Sequence, residues 1–135
     1  MPPNTATFRK QVAALIAELL ASANAHDTDR HCAVYARDAA LIFIVNGEVI
    51  RGWDAYRERQ RQWWDNGRAT GLYEYRGEPA YEALGDDLGL TTAVIVARAE
   101  LPDGQIRQRE LVASALWKRR PEGWRIVYAH ESSTK

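Results

Sequence analysis

The sequence contains little of the chemistry that usually identifies a protein class. It has one cysteine in 135 residues, and its 18 basic residues are balanced by 18 acidic ones, so the formal net charge is zero. A lone cysteine, Cys32, cannot form an internal disulfide, and we therefore expect a cytoplasmic location. A neutral chain favours neither nucleic acid nor a membrane surface as partner. A small molecule or a second protein subunit is the expected partner.

Motifs for metals and cofactors are also lacking. The three histidines, His26, His31 and His130, show no His-x-x-x-His spacing, so we expect no metal site. The chain has no glycine-rich phosphate loop, dinucleotide fingerprint or Gly-x-Ser-x-Gly motif, so we expect no cofactor. No apolar run approaches the roughly 20 residues that a membrane span needs. Any reaction is therefore expected to use the side chains of the protein itself.

The first half of the chain has the periodicity of helices. Apolar residues recur at helical spacing, and Asn4 or Thr5 and Asp27 are suited to cap helix starts. These patterns predict three helices, at about residues 5–23, 27–37 and 53–66. The segments 41–45 and 48–51 predict two strands joined at Asn46-Gly47.

After residue 67 the period changes from 3.6 to 2. Strands are predicted at about residues 72–84, 87–101, 105–119 and 123–132. Turn residues such as Pro102-Asp103-Gly104 and Pro121-Glu122-Gly123 separate these strands. Three helices followed by an antiparallel meander predict an α+β domain spanning residues 1–135, with the three N-terminal helices packed on one face of a strongly curved, mostly antiparallel sheet.

Five short motifs, spread from residue 24 to residue 130, carry a family resemblance. They are Asn24-Ala25-His26-Asp27, Tyr35-Ala36-Arg37-Asp38-Ala39, Ile50-Arg51-Gly52, Gly85-Asp86 and Trp124-Arg125-Ile126-Val127-Tyr128-Ala129-His130. In this order they resemble the SnoaL-like proteins of the nuclear transport factor two-like superfamily, over about residues 8–133. The resemblance implies a cone-shaped α+β barrel of the cystatin-like fold with an enclosed pocket.

The function that this resemblance implies has two forms. The superfamily includes cofactor-independent acid–base enzymes such as ketosteroid isomerases, polyketide cyclases and scytalone dehydratase, and also transport factors and kinase association domains. An isomerase, cyclase, dehydratase or hydrolase of unknown substrate is therefore one expectation, and a non-catalytic ligand-binding or homo-oligomeric assembly module is the other. Where ketosteroid isomerases carry a tyrosine and two aspartates, the matched motifs place Leu19, Phe43 and Ala115, which disfavours that particular mechanism.

The last predicted strand supplies the candidate catalytic residues. Strict alternation places Tyr128 and His130 on the pocket face of the strand and Arg125 and Glu131 on the other face. A neutral imidazole can serve as acid or base near pH 7, and a phenol can donate a hydrogen bond to a developing oxyanion. The alternative is that both residues merely fill the cavity. His31 is interpreted as a partly exposed helix residue.

Aromatic residues from every predicted layer are expected to line the pocket. The predicted aromatic wall consists of Tyr35, Phe43, Trp53, Tyr56, Trp63 and Trp117. At the mouth, a regular hairpin in which facing residue numbers sum to 207 places Arg98 opposite Arg109. Two facing arginines require a carboxylate between them, supplied either by Asp54 or Glu58 or by an anionic small organic ligand.

The opposite face of the same strands predicts an oligomer interface. Small and apolar residues would occupy it: Thr91, Ala93, Ile95, Ala97, Ala99, Val112, Ser114 and Leu116. A sheet face of this composition is rarely left in water. We therefore expect a homodimer that forms through the outer face of the sheet.

Overall fold

The computed structural model describes residues 4–133, so the ends of the predicted 1–135 domain lie outside the described residues. Within residues 4–133 the chain forms three α-helices, one 3-10 turn and seven strands. The helices are α1 (Thr5–Asn24), α2 (Thr28–Cys32) and α3 (Trp53–Trp63), and the 3-10 turn is Asp65–Gly67. The strands are β1 (Ile42–Val45), β2 (Glu48–Arg51), β3 (Leu72–Tyr75), β4 (Ala80–Ala83), β5 (Leu88–Glu100), β6 (Ile106–Arg120) and β7 (Gly123–Ser133).

The predicted α+β class is confirmed. The strands form one mostly antiparallel sheet in the order β2-β1-β7-β6-β5-β3, with β4 also paired to β5, and only the β1–β7 pair is parallel among residues 4–133. The sheet is curved but does not close into a barrel. The three helices pack on one face of the sheet, its inner face. Within residues 4–133 no helix is both long and apolar enough to cross a bilayer.

The first helix is held to the sheet by its apolar stripe. The Asn4 side chain caps α1 by accepting a hydrogen bond from the Thr7 backbone N–H at 3.1 Å. Phe8, Val12 and Ile16 recur at helical spacing and are buried in the core. The core therefore lies between α1 and the inner face of the sheet.

The second helix is shorter than predicted because the chain leaves it to pair with β7. Asp27 caps α2 as expected, accepting from the Arg30 backbone N–H at 3.1 Å. The helix ends at Cys32 rather than near residue 37. Val34 and Ala36 instead form backbone hydrogen bonds with Ile126, at 3.1 and 2.8 Å. This extended pairing competes with helix for the same backbone groups and fixes Tyr35 over the sheet.

The hairpin between β5 and β6 differs by one residue from the predicted register. Its turn has three residues, Pro102 to Gly104, and Leu101 pairs with Gln105 through a 2.8 Å hydrogen bond. Gly104 adopts φ +84°, the left-handed conformation that a three-residue hairpin of this kind requires. Facing residue numbers therefore sum to 206 instead of 207. Each β5 side chain consequently points to the face opposite the predicted one.

A β-bulge interrupts the last strand pair. Trp117 pairs with Ile126, whereas the preceding residue, Leu116, pairs with Tyr128, so Val127 is an extra residue in β7. The extra residue reverses the alternation beyond it. Trp124 and Ile126 face the core as predicted, and beyond the bulge Ala129 takes the inner position.

Candidate active site

A cavity of about 550 Å³ lies between the helices and the inner face of the sheet. Its volume falls within the range of about 300–1,000 Å³ that small-molecule sites occupy. Most of its wall is apolar or aromatic, and side chains from α1, α2, α3 and the sheet all contribute. The cavity is therefore large enough for an organic molecule of one or two rings.

The bulge in β7 places a carboxyl group in this cavity. Glu131 pairs with Val45 on one side and Ala113 on the other, and both neighbours line the cavity. Burial raises the pKa of Glu131 to about 6, and the positive charge of Arg109 opposes the rise. Among residues 4–133 no side chain forms a hydrogen bond or an ion pair with its carboxylate. Glu131 is thus a half-buried acid that faces the cavity without a fixed partner.

The predicted catalytic pair lies on the other face of the strand. Tyr128 and His130 were expected inside the cavity, and the bulge at Val127 directs their side chains outward. His130 borders the cavity from its position in the strand, but it pairs with Ser114 on the outer face and is exposed. The predicted orientation of both residues is therefore wrong, and Glu131 takes the place that they were expected to occupy.

Two buried tyrosines lie close to this carboxyl group. The Tyr56 hydroxyl donates to Gln60 Oε1 at 3.2 Å, and the rings of Tyr35 and Tyr56 pack together with centroids 4.5 Å apart. Burial raises the pKa of both tyrosines well above the ordinary value, and the charge of Glu131 adds to the rise. The two hydroxyls thus remain protonated and lie within electrostatic range of Glu131.

The helix side of the cavity contains a histidine. His31 lines the wall, and its ring packs edge-on against Trp64, with ring centroids 4.9 Å apart. Its Nδ1 lies 3.0 Å from the Ser22 hydroxyl and 3.0 Å from the Leu19 carbonyl oxygen. Burial lowers the pKa of His31 to about 4, so the ring is neutral at pH 7. His31 is thus a partly exposed helix residue, as the sequence predicted, and it also lines the cavity.

Charged residues surround the cavity mouth in an arrangement that differs from the predicted one. Arg109 lines the cavity, as does an ion pair between Arg59 and Glu48. The one-residue register difference places Arg98 on the outer face, where it forms an ion pair with Glu74 and donates to Gln108 at 3.0 Å. The prediction that Arg98 and Arg109 face each other is wrong. Within the described chain, Arg109 has no hydrogen bond or ion pair to a carboxylate within 4 Å.

A scan against protein-family models matches residues 12–134 to the SnoaL-like domain. The chain belongs to this family. Among solved structures, the SnoaL-like domain is similar to a nuclear transport factor 2-like protein from Salmonella enterica serovar Typhimurium, with 21% identity, 98% of this chain and 94% of that chain covered, and a TM-score of 0.81. No curated protein matches the sequence.

Two further structural neighbours are described in very different terms. A Streptomyces avermitilis protein, provisionally described as a dehydratase, shares 15% identity over 97% of this chain and 99% of its own, with a TM-score of 0.80. The association domain of C. elegans CaMKII shares 16% identity over 95% and 97%, with a TM-score of 0.77. At these identities the likeness establishes the fold and not the activity.

The predicted aromatic wall of the SnoaL-like domain is only partly present in the cavity. Tyr35, Phe43 and Trp63 line it, while Tyr56 and Trp117 are completely buried behind the lining. The Trp117 indole N–H donates to the Thr91 hydroxyl at 2.9 Å, so it supports a lining residue.

The remaining predicted wall residue, Trp53, lies outside the cavity. Its indole N–H donates to the Cys32 carbonyl at 2.8 Å, and Arg37 stacks over its ring at 4.7 Å. Trp53 therefore fastens α3 to α2 instead of lining the pocket.

The residues matched to the ketosteroid isomerase catalytic positions are all apolar members of the cavity wall. Leu19, Phe43 and Ala115 each line it. None carries a group that can transfer a proton, so the ionisable groups of this cavity occupy other positions, Glu131 on the sheet side and His31 on the helix side.

Proposed function

We propose that this SnoaL-like domain is an acid–base enzyme that transfers a proton on a small organic substrate, with Glu131 as the transferring group. The observation that supports this best is an unpartnered carboxyl group, with a pKa raised to about 6, that faces a largely apolar cavity. General acid–base catalysis is most effective when the pKa of the catalytic group lies near the working pH. A carboxylate used only for stability would be expected to have a fixed cationic or hydrogen-bonding partner.

The chemistry that fits is a one-base proton shuttle. The Glu131 carboxylate takes a proton from a carbon next to a carbonyl, and the C–H electron pair forms an enolate. The protonated carboxyl then returns the proton either to another carbon, which completes an isomerisation, or to a leaving hydroxyl, which departs as water. The provisional description of the Streptomyces avermitilis neighbour as a dehydratase agrees with the second outcome at the level of the fold.

The surrounding groups support the same assignment. The Arg109 charge favours the carboxylate form of Glu131 and can attract a substrate with one anionic group. Phe43 and Trp63, whose rings lie 6.0 Å apart, offer an aromatic surface for the body of the substrate. The free thiol of Cys32 is buried, which suits the expected cytoplasmic location.

Two measurements test the assignment of Glu131. In protein labelled with ¹³C at glutamate carboxyl groups, one carboxyl signal should titrate near pH 6 and should be missing in Glu131→Gln. In D2O, the parent should accelerate deuterium exchange at the carbon next to the carbonyl of α-tetralone, with a rate that rises through about pH 6. Glu131→Gln should lose this acceleration, and the exposed Glu82→Gln should retain it. No glutamate titrating above about pH 5, or no exchange by the parent, would contradict the proposal.

The second candidate function is an assembly module, and the outer face of the sheet favours it. Two rows of paired residues cross four strands of that face. They are Ile42-Tyr128-Leu116-Leu90 and Ile44-His130-Ser114-Thr92. Val112, which is 39% exposed, lies beside them. The corrected register keeps the predicted Val112, Ser114 and Leu116 on this face, but moves the predicted Ile95 and Ala97 to the cavity side.

We propose that this face forms a homodimer, as the sequence predicts for the outer face. Analytical ultracentrifugation should give a dimer for the parent and a monomer for Val112→Arg, because a buried unpaired guanidinium opposes association. Leu84→Arg changes a similarly exposed apolar residue at the β4–β5 turn and should leave the dimer intact. A monomeric parent at micromolar concentration would contradict the proposal. A dimer without catalysed exchange would favour the assembly function over the enzymatic one.

A further inference from the structure

His31 is a polar group of the cavity that the proton transfer by Glu131 does not use. It lies on α2, at the helix side of the cavity, while Glu131 lies on the sheet side. The hydrogen bonds around His31 determine which of its ring nitrogens carries the proton. This assignment in turn determines what the ring offers to a bound molecule.

The Ser22 hydroxyl lies between the Glu18 carbonyl and the His31 ring. Its oxygen lies 2.6 Å from the Glu18 carbonyl oxygen, which can only accept a hydrogen bond. The single hydroxyl proton of Ser22 is therefore used in that bond. The Ser22 oxygen can still accept, and it lies 3.0 Å from His31 Nδ1.

The proton of the neutral His31 ring is on Nδ1. His31 Nδ1 also lies 3.0 Å from the Leu19 carbonyl oxygen, again a group that can only accept. Nδ1 must therefore carry a proton, which it donates toward Leu19 and Ser22. Because the ring is neutral at pH 7, Nε2 has no proton and offers only a lone pair.

The lone pair of His31 Nε2 is accessible. Nε2 has no hydrogen-bond partner among residues 4–133, and no inaccessible side-chain nitrogen or oxygen in this part of the chain lacks a partner. Nε2 is therefore accessible, and the ring to which it belongs lines the cavity. The His31 ring, held in place through Nδ1, thus adds an accessible hydrogen-bond acceptor to the cavity wall.

We propose that the cavity selects substrates that carry an O–H or N–H group, which donates a hydrogen bond to Nε2 of His31. That the bound molecule is a substrate rests on the proposed function, because the same cavity holds the substrate for Glu131. A site built to hydrogen-bond a substrate group discriminates against an analogue without it, since the acceptor is then desolvated and unpaired. His31 is thus a specificity-determining residue, and a phenol or alcohol on a ring system is the substrate class that it recognises.

The experiment compares two probes that differ in one donor, β-naphthol and its methyl ether. Isothermal titration calorimetry should show that the parent binds the naphthol about tenfold more tightly than the ether. His31→Asn replaces Nδ1 by an amide nitrogen that can still donate to Leu19, but it removes the acceptor in the cavity, so the preference should disappear. His31→Gln places an amide oxygen near the former Nε2 position and should recover part of the preference.

A second measurement uses the unaltered protein. ¹⁵N NMR of the parent should show a protonated Nδ1 and an unprotonated Nε2 at His31, with the Nε2 signal shifted by β-naphthol and not by the ether. A protonated Nε2, equal affinity for the two probes, binding of neither probe, or a preference retained in His31→Asn would overturn the inference.

The outcome is separable from that of the proposed function. Glu131→Gln should lose catalysed exchange but keep the preference for the naphthol, because the acceptor on His31 is unchanged. If the parent prefers the naphthol but catalyses no exchange, only the enzymatic proposal fails. If exchange occurs without a preference for the donor, only the His31 inference fails.

Discussion

Acid is expected to destabilise this protein through His31. Burial lowers the pKa of the folded ring from 6.5 to about 4. A group whose pKa is lower in the folded state binds its proton more readily when the chain is unfolded. The stability that the neutral ring contributes is therefore complete above about pH 6.5 and is lost as the pH falls toward about 4.

The size of this effect follows from the two pKa values. Each pKa unit corresponds to about 1.4 kcal/mol, so the interval from 6.5 to about 4 amounts to about 3 kcal/mol of unfolding free energy. About 2 kcal/mol of it is lost by about pH 5. Glu131 acts in the opposite direction. Its pKa is raised from 4.5 to about 6, so protonation of its carboxylate makes the fold more stable as the pH falls from about 6 toward 4.5. The parent alone therefore shows only the difference between the two effects.

Urea unfolding of the parent and of His31→Asn separates them. Asn does not titrate, and both proteins carry Glu131 and all other carboxyl groups, whose effects cancel in the difference. From about pH 7.5 to about pH 4 the stability difference should move by about 3 kcal/mol in favour of the variant. Glu131→Gln should move by about 2 kcal/mol in the opposite sense over the range from about pH 7 to about pH 4.5. Parallel pH curves for the parent and His31→Asn would refute the lowered pKa of His31.

Two further predictions concern packing and the bulge. A Cβ at Gly89 would overlap the Phe8 ring, so Gly89→Ala should cost about 1–3 kcal/mol in urea unfolding, while Gly85→Ala, with open space around it, should cost far less. Deletion of Val127 removes the extra residue of the bulge. The residues after it can keep their partners on β6 and their faces, so Glu131 should still titrate near pH 6 in ¹³C NMR. A carboxyl that titrates normally in the parent and shifts only in the deletion variant would show that β7 has no bulge.

The elements of this fold are largely predictable because their signals are local. Asn4 and Asp27 cap the two helices that they were expected to cap, and β2 has the predicted bounds. Each signal depends on neighbours within one turn of helix or on alternation along one strand. The end of α2 was missed because the competing interaction, with Ile126, comes from a strand about 90 residues away in the chain.

The assignment of side chains to the two faces of the sheet was less predictable, because it depends on counting single residues. Both a three-residue and a four-residue hairpin loop accommodate the Pro102-Asp103-Gly104 sequence, and the difference exchanges the faces of β5. The prediction for Arg109 was unaffected, since its strand kept the predicted face, while Arg98 moved to the outer face. The bulge at Val127 has no glycine or proline to mark it, so alternation alone could not predict it.

The polarity of the cavity depends on the same two features, the one-residue register difference of the β5–β6 hairpin and the bulge in β7. Without the bulge, the inner face of β7 would present a phenol and an imidazole, and the outer face would present a carboxylate to any partner sheet. With the bulge, His130 lies on a mostly apolar outer surface, and the carboxyl group of Glu131 faces the cavity. Burial there raises the pKa of this carboxyl to about 6. A carboxyl can hold or release a proton at that pKa, whereas His31, with a pKa of about 4, stays neutral and offers the cavity the lone pair of Nε2. One inserted residue therefore assigns the two sides of the cavity different tasks, proton transfer at the sheet and recognition of a donor at the helices.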